Sequence, residues 1–248
     1  MTSFLIKLPL LIFGLIRVTI EYLQLVINLW RMDKEKKEKV LYDFHVKSNT
    51  HLSPIKYNEV GVTIGSWEMY KYIIRKQIDL ELYGKYCQVG LPAPNPSVIE
   101  VRGKISNSIK QKKSLLSFAN SARPLVINFG SYIVDFITIY ISEAHATDQW
   151  QFATNPFKVR SHRSLDERIT ATFLLRKEYE KYGWTESMMK ISADPMNNEA
   201  RKMYTALPER FGVIRNEKIE FLSKVGSEFY VVSKLEEWLQ AYRLSLNQ

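Results

Sequence analysis

Two strand-like runs near the middle of the chain, Leu125–Phe129 (LVINF) and Val134–Ile141 (VDFITIYI), are separated only by Gly130, Ser131, Tyr132 and Ile133. Both are rich in β-branched and aromatic residues, the composition of strands covered on both faces. Such strands belong to parallel sheets, where the connection needs a crossover of about 10–12 residues or more, usually a helix. A link of four residues permits only a hairpin or one bent strand. Taken literally, the junction predicts poor folding from about Asn128 to Ile137.

The rest of the chain asks for a parallel sheet. Ser164, with Glu167 three residues on, forms a capping box that opens LDERITATFLLRKEYEKY, and Gly183 stops it. A strand MKISAD follows, then a helix around EARKMYTAL, a hairpin FGVIRNEKIEFLS turning at Asn216 and Glu217, and an amphipathic helix from about Ser233 to Leu244. Upstream, Pro92, Pro94 and Pro96 remove amide donors and bias their predecessors away from helix, so Leu91–Pro96 is extended or turned, and Val98–Gly103 is a short strand. The order β–β–α–β–α–β–β–α from Leu125 onward predicts an α/β domain of three layers. We place this domain at 91–248, behind a charged, weakly periodic linker over 31–90.

The segment Phe4–Trp30 is apolar and long enough to cross a bilayer core of about 30 Å. Lys7 can snorkel from its outer end, while Arg17 and Glu21 are four apart and share a helix face. Each central charge costs about 2.5–3.5 kcal/mol and each large aliphatic returns about 0.3–0.6 kcal/mol, so the two sides nearly cancel. Three readings remain: a spanning anchor over 1–30, a helix lying in the interface, and a cleaved signal or buried helix. The first is favoured, because no small-x-small cleavage site follows and the stretch runs straight into Arg31, Lys34, Lys36, Lys37 and Lys39. That basic exit predicts a single-pass protein with a cytosolic body, at the plasma membrane or the endoplasmic reticulum.

The basic exit also bears on the net charge of +9, from 35 Lys+Arg against 26 Asp+Glu. Its strongest cluster has a membrane explanation, so lipid rather than nucleic acid is the expected partner. A chain 46% apolar with only 10 Gly and 9 Pro is neither disordered nor collagen-like. Its single cysteine, Cys87, excludes a disulfide framework, a CxxC pair and a multi-thiolate zinc site.

Few residues carry recognisable chemistry. Glu143 and His145 follow the second central strand, and their i, i+2 spacing points both side chains one way if the strand persists through Ala144. Open α/β sheets bind ligands beyond the carboxyl ends of their strands, where a carboxylate orienting an imidazole makes an acid/base pair. The alternative is a solvated strand end. His162 precedes the capped helix, whose N-terminus favours a neutral imidazole; the alternative is a capping or solvent residue. Glu209 follows Pro208 at a strand start, against the reading of a surface ion pair with Arg210. No HxxxH or HExxH spacing supports a metal site from Glu143, His145 and His162, and there is no Gly-rich phosphate loop or GxSxG elbow.

Four strings then combine: RPLVINFGS (Arg123–Ser131), DFITIYISEAHATDQW (Asp135–Trp150), HRSLDERI (His162–Ile169) and LPERFGVI (Leu207–Ile214). Together they closely resemble the iodothyronine deiodinases, over about Ser114 to Leu244. The resemblance implies a thioredoxin-like, peroxiredoxin-related domain with an N-terminal transmembrane helix, homodimeric, that reductively removes iodide from thyroxine or triiodothyronine. It implies no bound cofactor and a thiol reductant as co-substrate. Carried over by position, it gives Glu143, His145 and His162 as catalytic and Ser131 and Glu209 as substrate-binding.

The resemblance has a gap. In that family NFGS is followed by Cys-Thr-selenocysteine-Pro-Pro and a helix leading back to the second strand. Here Ser131 runs directly into Tyr132-Ile133-Val134-Asp135, so the selenocysteine nucleophile is absent, with roughly two dozen residues around it. The missing piece is the crossover that strand geometry demands. Gln149 also replaces the family's usual glycine before Trp150, and Val225 stands where some members have arginine. The chain as written is therefore expected to release no iodide, with hormone binding or dimerisation as the alternative role. A thiol reductase or peroxidase is disfavoured, because no cysteine lies near Ser131.

Overall fold

The computed structural model describes residues 2–37, 39–40, 65–102, 109–119, 124–129, 136–149, 158–185, 190–226 and 231–246. The chain forms two compact units, Met1–Tyr86 with Ser142–Arg163, and Cys87–Ile141 with Ser164–Gln248.

In the first unit, α1 (Thr2–Arg31) is apolar and long enough from Leu8 to Arg31 to cross a membrane. One stripe of it, Gly14, Val18 and Tyr22, is buried, and α2 (Trp67–Tyr83) lies along that stripe. Thr19 Oγ1 and Tyr70 OH are 3.0 Å apart, and Tyr22 OH donates to Ser66 O at 2.9 Å. A Cβ at Gly14 would stand 2.8 Å from Glu81 Oε1, the flexible end of a side chain that would have to swing aside. The far face of α1, including Ile12, Phe13, Ile16, Ile20, Leu23 and Ile27, is exposed. The stretch read as linker thus contains a helix. Ser66 caps α2 by accepting from Met69 N at 3.1 Å.

The second unit holds a seven-stranded sheet. Its strands are β1 (Ser97–Arg102), β2 (Ile109–Ser114), β3 (Leu125–Phe129), β4 (Phe136–Tyr140), β5 (Lys190–Ala193), β6 (Arg210–Arg215) and β7 (Lys218–Leu222), in the order β2-β1-β5-β4-β3-β6-β7. The helices are α3 (Leu165–Lys181), α4 (Glu199–Met203) and α5 (Val232–Ser245). Strands β3, β4 and β5 are parallel, and the remaining pairings are antiparallel. Side-chain alternation divides the core between the two faces. On one face Val98, Ile127, Phe129, Ile137, Ile139, Ile214 and Ile219 pack with Leu115, Ala200 and Tyr204. On the other, α3 covers Ile99, Val101 and Ala193, while α5 brings Leu235 onto Val126, Phe211 and Val213. The β6–β7 turn is where the sequence puts it, with Asn216 and Glu217 both at positive φ (50° and 58°), the demand of a two-residue hairpin turn.

The central junction corrects the literal reading of the sequence. β3 and β4 form neither a hairpin nor a bent strand. They pair in parallel from Val126↔Phe136 to Phe129↔Ile139, and Asn128, Phe129 and Ile137, at the two ends of the stretch expected to fold poorly, are buried. The physical reason is reach. From Phe129 the chain must return about 10 Å along the strand and about 4.8 Å across to the next. Six residues can span up to about 20 Å, so the length allows the register that the buried patterns favour. Residues 130–135, which include Ser131, lie outside the described residues. Of the expected Val134–Ile141 strand, Val134 and Asp135 also lie outside the described residues; β4 ends one residue earlier than the sequence suggests, and the helix around EARKMYTAL shortens to five residues.

Candidate functional site

The carboxyl ends of β4 and β5 are tied together, with Asp194 N donating to Tyr140 O at 2.9 Å. Beyond Ile141 the chain leaves the sheet and turns through Ser142–Gln149, so the strand does not persist through Ala144. The i, i+2 argument for Glu143 and His145 therefore fails in its premise. A contact of another kind links them: the main-chain N–H of His145 donates to Glu143 Oε1 at 3.3 Å. Burial pushes the His145 imidazole down to about 4, leaving it neutral near pH 7 with one nitrogen as donor and one as acceptor.

Three hydrogen bonds join the segment carrying His145 to the one carrying His162. Thr147 N donates to Val159 O at 2.8 Å, Ser161 N to Asp148 Oδ1 at 2.7 Å, and Gln149 Nε2 to Ser161 Oγ at 2.7 Å. Residues 150–157 between them lie outside the described residues. The Ser161 N–H holds the Asp148 carboxyl below the usual carboxylate range. His162 itself is half-buried, and two residues on Ser164 accepts from Glu167 N at 3.2 Å, which is the N-cap the sequence signals.

In the second unit, Glu209 stands between the cis Leu207–Pro208 bond and β6. Burial pushes its carboxyl up to about 7. The surface ion pair with Arg210 is not formed, because that guanidinium is turned to main chain. It donates from Nε to Ser223 O and from Nη1 to Tyr204 O, both at 2.8 Å, and also contacts Thr205 Oγ1. Cys87 is buried and its thiol is pushed up to about 11, so it stays protonated and is no nucleophile at neutral pH.

Sequence reasoning missed one buried cluster. Asp194, at the carboxyl end of β5, accepts from Ala200 N at 2.9 Å and Arg201 N at 3.0 Å, and burial pushes it up to about 6 against these bonds and the charges of Arg168 and Arg201. Arg168 Nη1 donates to the carbonyls of Asp194 and Pro195 at 2.9 and 2.8 Å. The available signal was an aspartate ending the strand MKISAD. Of the expected site residues, then, one unit holds Glu143, His145 and His162, and the other holds Glu209.

A family model described as iodothyronine deiodinase matches residues 15–134 and 131–243. The chain belongs to the iodothyronine deiodinase family. Its seven-stranded α/β unit accords with the thioredoxin-like fold of that family, and α1 accords with an N-terminal membrane helix. A thyroxine 5-deiodinase of Gallus gallus is 32% identical over 183 residues, covering 65% of this chain and 66% of the relative. A type II iodothyronine deiodinase of Neoceratodus forsteri is 32% identical over 190 residues, or 64% of this chain and 69% of the relative. A thyroxine 5-deiodinase of Ovis aries is 32% identical over 179 residues, or 64% of this chain and 57% of the relative. The chain thus spans a little under two thirds of the Gallus gallus relative and little more than half of the Ovis aries one. The two matched segments of the family model meet at 131–134, inside the link between β3 and β4.

Proposed function

We propose that this chain is a membrane-anchored iodothyronine deiodinase from which the selenocysteine-bearing crossover is missing, so that as written it releases no iodide. The observation that carries the reading is the parallel pairing of β3 and β4 across six residues where such pairs normally need a crossover of about 10–12 or more. The break in the family match at 131–134 supports it. So does the alignment arithmetic: 183 aligned positions occupy only 65% of 248 residues, leaving roughly twenty that the relative has and this chain lacks.

In the family's chemistry a selenolate takes the ring iodine and a thiol reductant regenerates it with release of iodide. This chain's own residues would serve the other half of the reaction. His145, half-buried and neutral, and His162 engage the hormone and deliver a proton to the ring carbon, with Glu143 fixing the main chain at His145. Ser131 and Glu209 contact the substrate. A protonated Glu209 near neutral pH can donate a hydrogen bond that an ordinary carboxylate cannot. α1 spans the membrane with its basic exit on the cytosolic side, and the active form is a homodimer.

A selenocysteine codon is UGA, ordinarily a stop, and a gene model or splice form that skips it yields such a chain. The test is sequencing of the transcript and genomic DNA between the codons of Ser131 and Tyr132. An in-frame UGA within a Cys-Thr-stop-Pro-Pro segment kept in the transcript is the expected result. A mature transcript joining Ser131 directly to Tyr132 overturns it in favour of a second reading, a folded and catalytically silent chain that binds hormone. That second reading draws support from the β3–β4 ladder, which closes without the crossover. In either case we expect the 248-residue chain with dithiol to release no iodide from thyroxine above a no-enzyme blank, because its one cysteine is buried and protonated.

A further inference from the structure

Thr147–Gln149 and Val159–Ser161 are closed on each other by hydrogen bonds and form a neck between the two segments that bear the histidines. His145 lies two residues before one end of the neck and His162 one residue after the other. Whatever holds the neck therefore sets where His162 stands relative to the His145 segment. One bond, Thr147 N to Val159 O, joins main chain to main chain. The other two converge on Ser161, using its N–H as donor and its hydroxyl as acceptor. A single bond across a neck leaves rotation about itself free, and three non-collinear bonds do not.

We infer that Asp148 and Gln149 are positioning residues that grip Ser161 between them and so fix His162 against the segment bearing His145. The inference rests on the reading of these histidines as the hormone-facing groups. The Asp148 bond is charge-assisted, and at 2.7 Å it is shorter than the usual N–H···O distance of about 2.9–3.0 Å. The Gln149 bond belongs to this chain in particular. Where a glycine precedes the tryptophan there is no side chain to reach the serine hydroxyl, so the departure from the resembled pattern adds a second arm to the clasp.

The test uses the full chain in detergent micelles with ring-labelled histidines. Its four histidines are resolved by His162→Gln as the assignment control. Asp148→Ala should speed hydrogen exchange of the Ser161 amide at least tenfold, shift the His162 titration midpoint and weaken thyroxine binding at least fivefold, with exchange of the Ile127 amide unchanged as the control for folding. Asp148→Asn, which keeps an acceptor, should recover most of each effect, and Gln149→Gly should show a smaller version of all three. Free exchange of the Ser161 amide in the unsubstituted chain sinks the clasp. Loss of Ser161 protection in Asp148→Ala with an unmoved His162 titration shows a clasp that positions nothing, and equally overturns the inference. If the unsubstituted chain does not bind thyroxine, the functional reading of the site fails, and the His162 resonances still decide the clasp.

Discussion

Glu209 and His145 are both kept in their neutral forms by burial, and the two act on stability with opposite signs. The Glu209 carboxyl, ordinarily near 4.5, sits at about 7 in the folded chain, so between those values the folded state binds the proton more tightly than the unfolded one. Stability from this group is fully present below pH 4.5 and is lost as pH rises through 7. His145 falls from 6.5 to about 4, so its contribution is present above 6.5 and is lost as pH falls through 4. Glu209→Gln should therefore gain on the unsubstituted chain at pH 8 relative to pH 5, by at most about 3 kcal/mol. Chemical unfolding at the two pH values measures this, and a pH-independent difference would mean that Glu209 ionises freely. Asp194 has the same sign as Glu209 but is common to both proteins and cancels. His145→Gln should flatten the acid side, keeping between pH 6.5 and 4 the stability that the unsubstituted chain loses.

At the level of elements, α1 has two incompatible partners. A spanning α1 puts Gly14, Thr19 and Tyr22 in hydrocarbon, yet that stripe carries α2 with Glu68, Lys71, Arg75, Lys76, Asp79 and Glu81. Each charge brought to the bilayer centre costs about 2.5–3.5 kcal/mol, so insertion should strip α2 away. Cysteines placed at Thr19 and Tyr70 should then cross-link poorly in proteoliposomes. Efficient cross-linking there would instead put α1 in the plane of the interface, its exposed Ile12, Phe13, Ile16 and Ile20 face in lipid and α2 riding above it.

The elements also show what a single sequence conveys. β3, β4, α3, the β6–β7 hairpin and α5 each carry a periodic pattern or a cap, and were legible. β2 (IKQKKS) was not, because lysines on an edge strand guard it against pairing and erase its pattern. α2 was hidden by its six charges. The EAH and HRSL strings single out His145 and His162, whose segments hydrogen bonds join. The bonds from Asp148 and Gln149 to Ser161 span 13 and 12 residues between side chain and loop, which no periodicity records.

For the molecule as a whole, the link between β3 and β4 decides whether this chain is a protein in its own right. The sheet order places β3, β4 and β5 side by side, so the steps from β3 to β4 and from β4 to β5 run in the same direction. Right-handed crossovers then put a β3–β4 helix on the same face as α3. The larger core lies on the opposite face, where Ile127, Phe129, Ile137 and Ile139 pack with Leu115, Ala200 and Tyr204. That core keeps its cover when the crossover is lost, and each buried aliphatic or aromatic there is worth up to about 1.5–3 kcal/mol. On the crossover's face, β3 and β4 present the polar Asn128 and Thr138. We therefore expect the amides of Ile127 and Ile139 to exchange as slowly as those of Val213 and Ile214 in β6, at the rate of global unfolding. Exchange several orders of magnitude faster in β3 and β4 alone would mean that the ladder needs its crossover and would rule out the second reading, a folded chain that binds hormone. Slow exchange would establish that the shortened chain folds without the segment that bears the family's nucleophile, as a hormone-binding relative must.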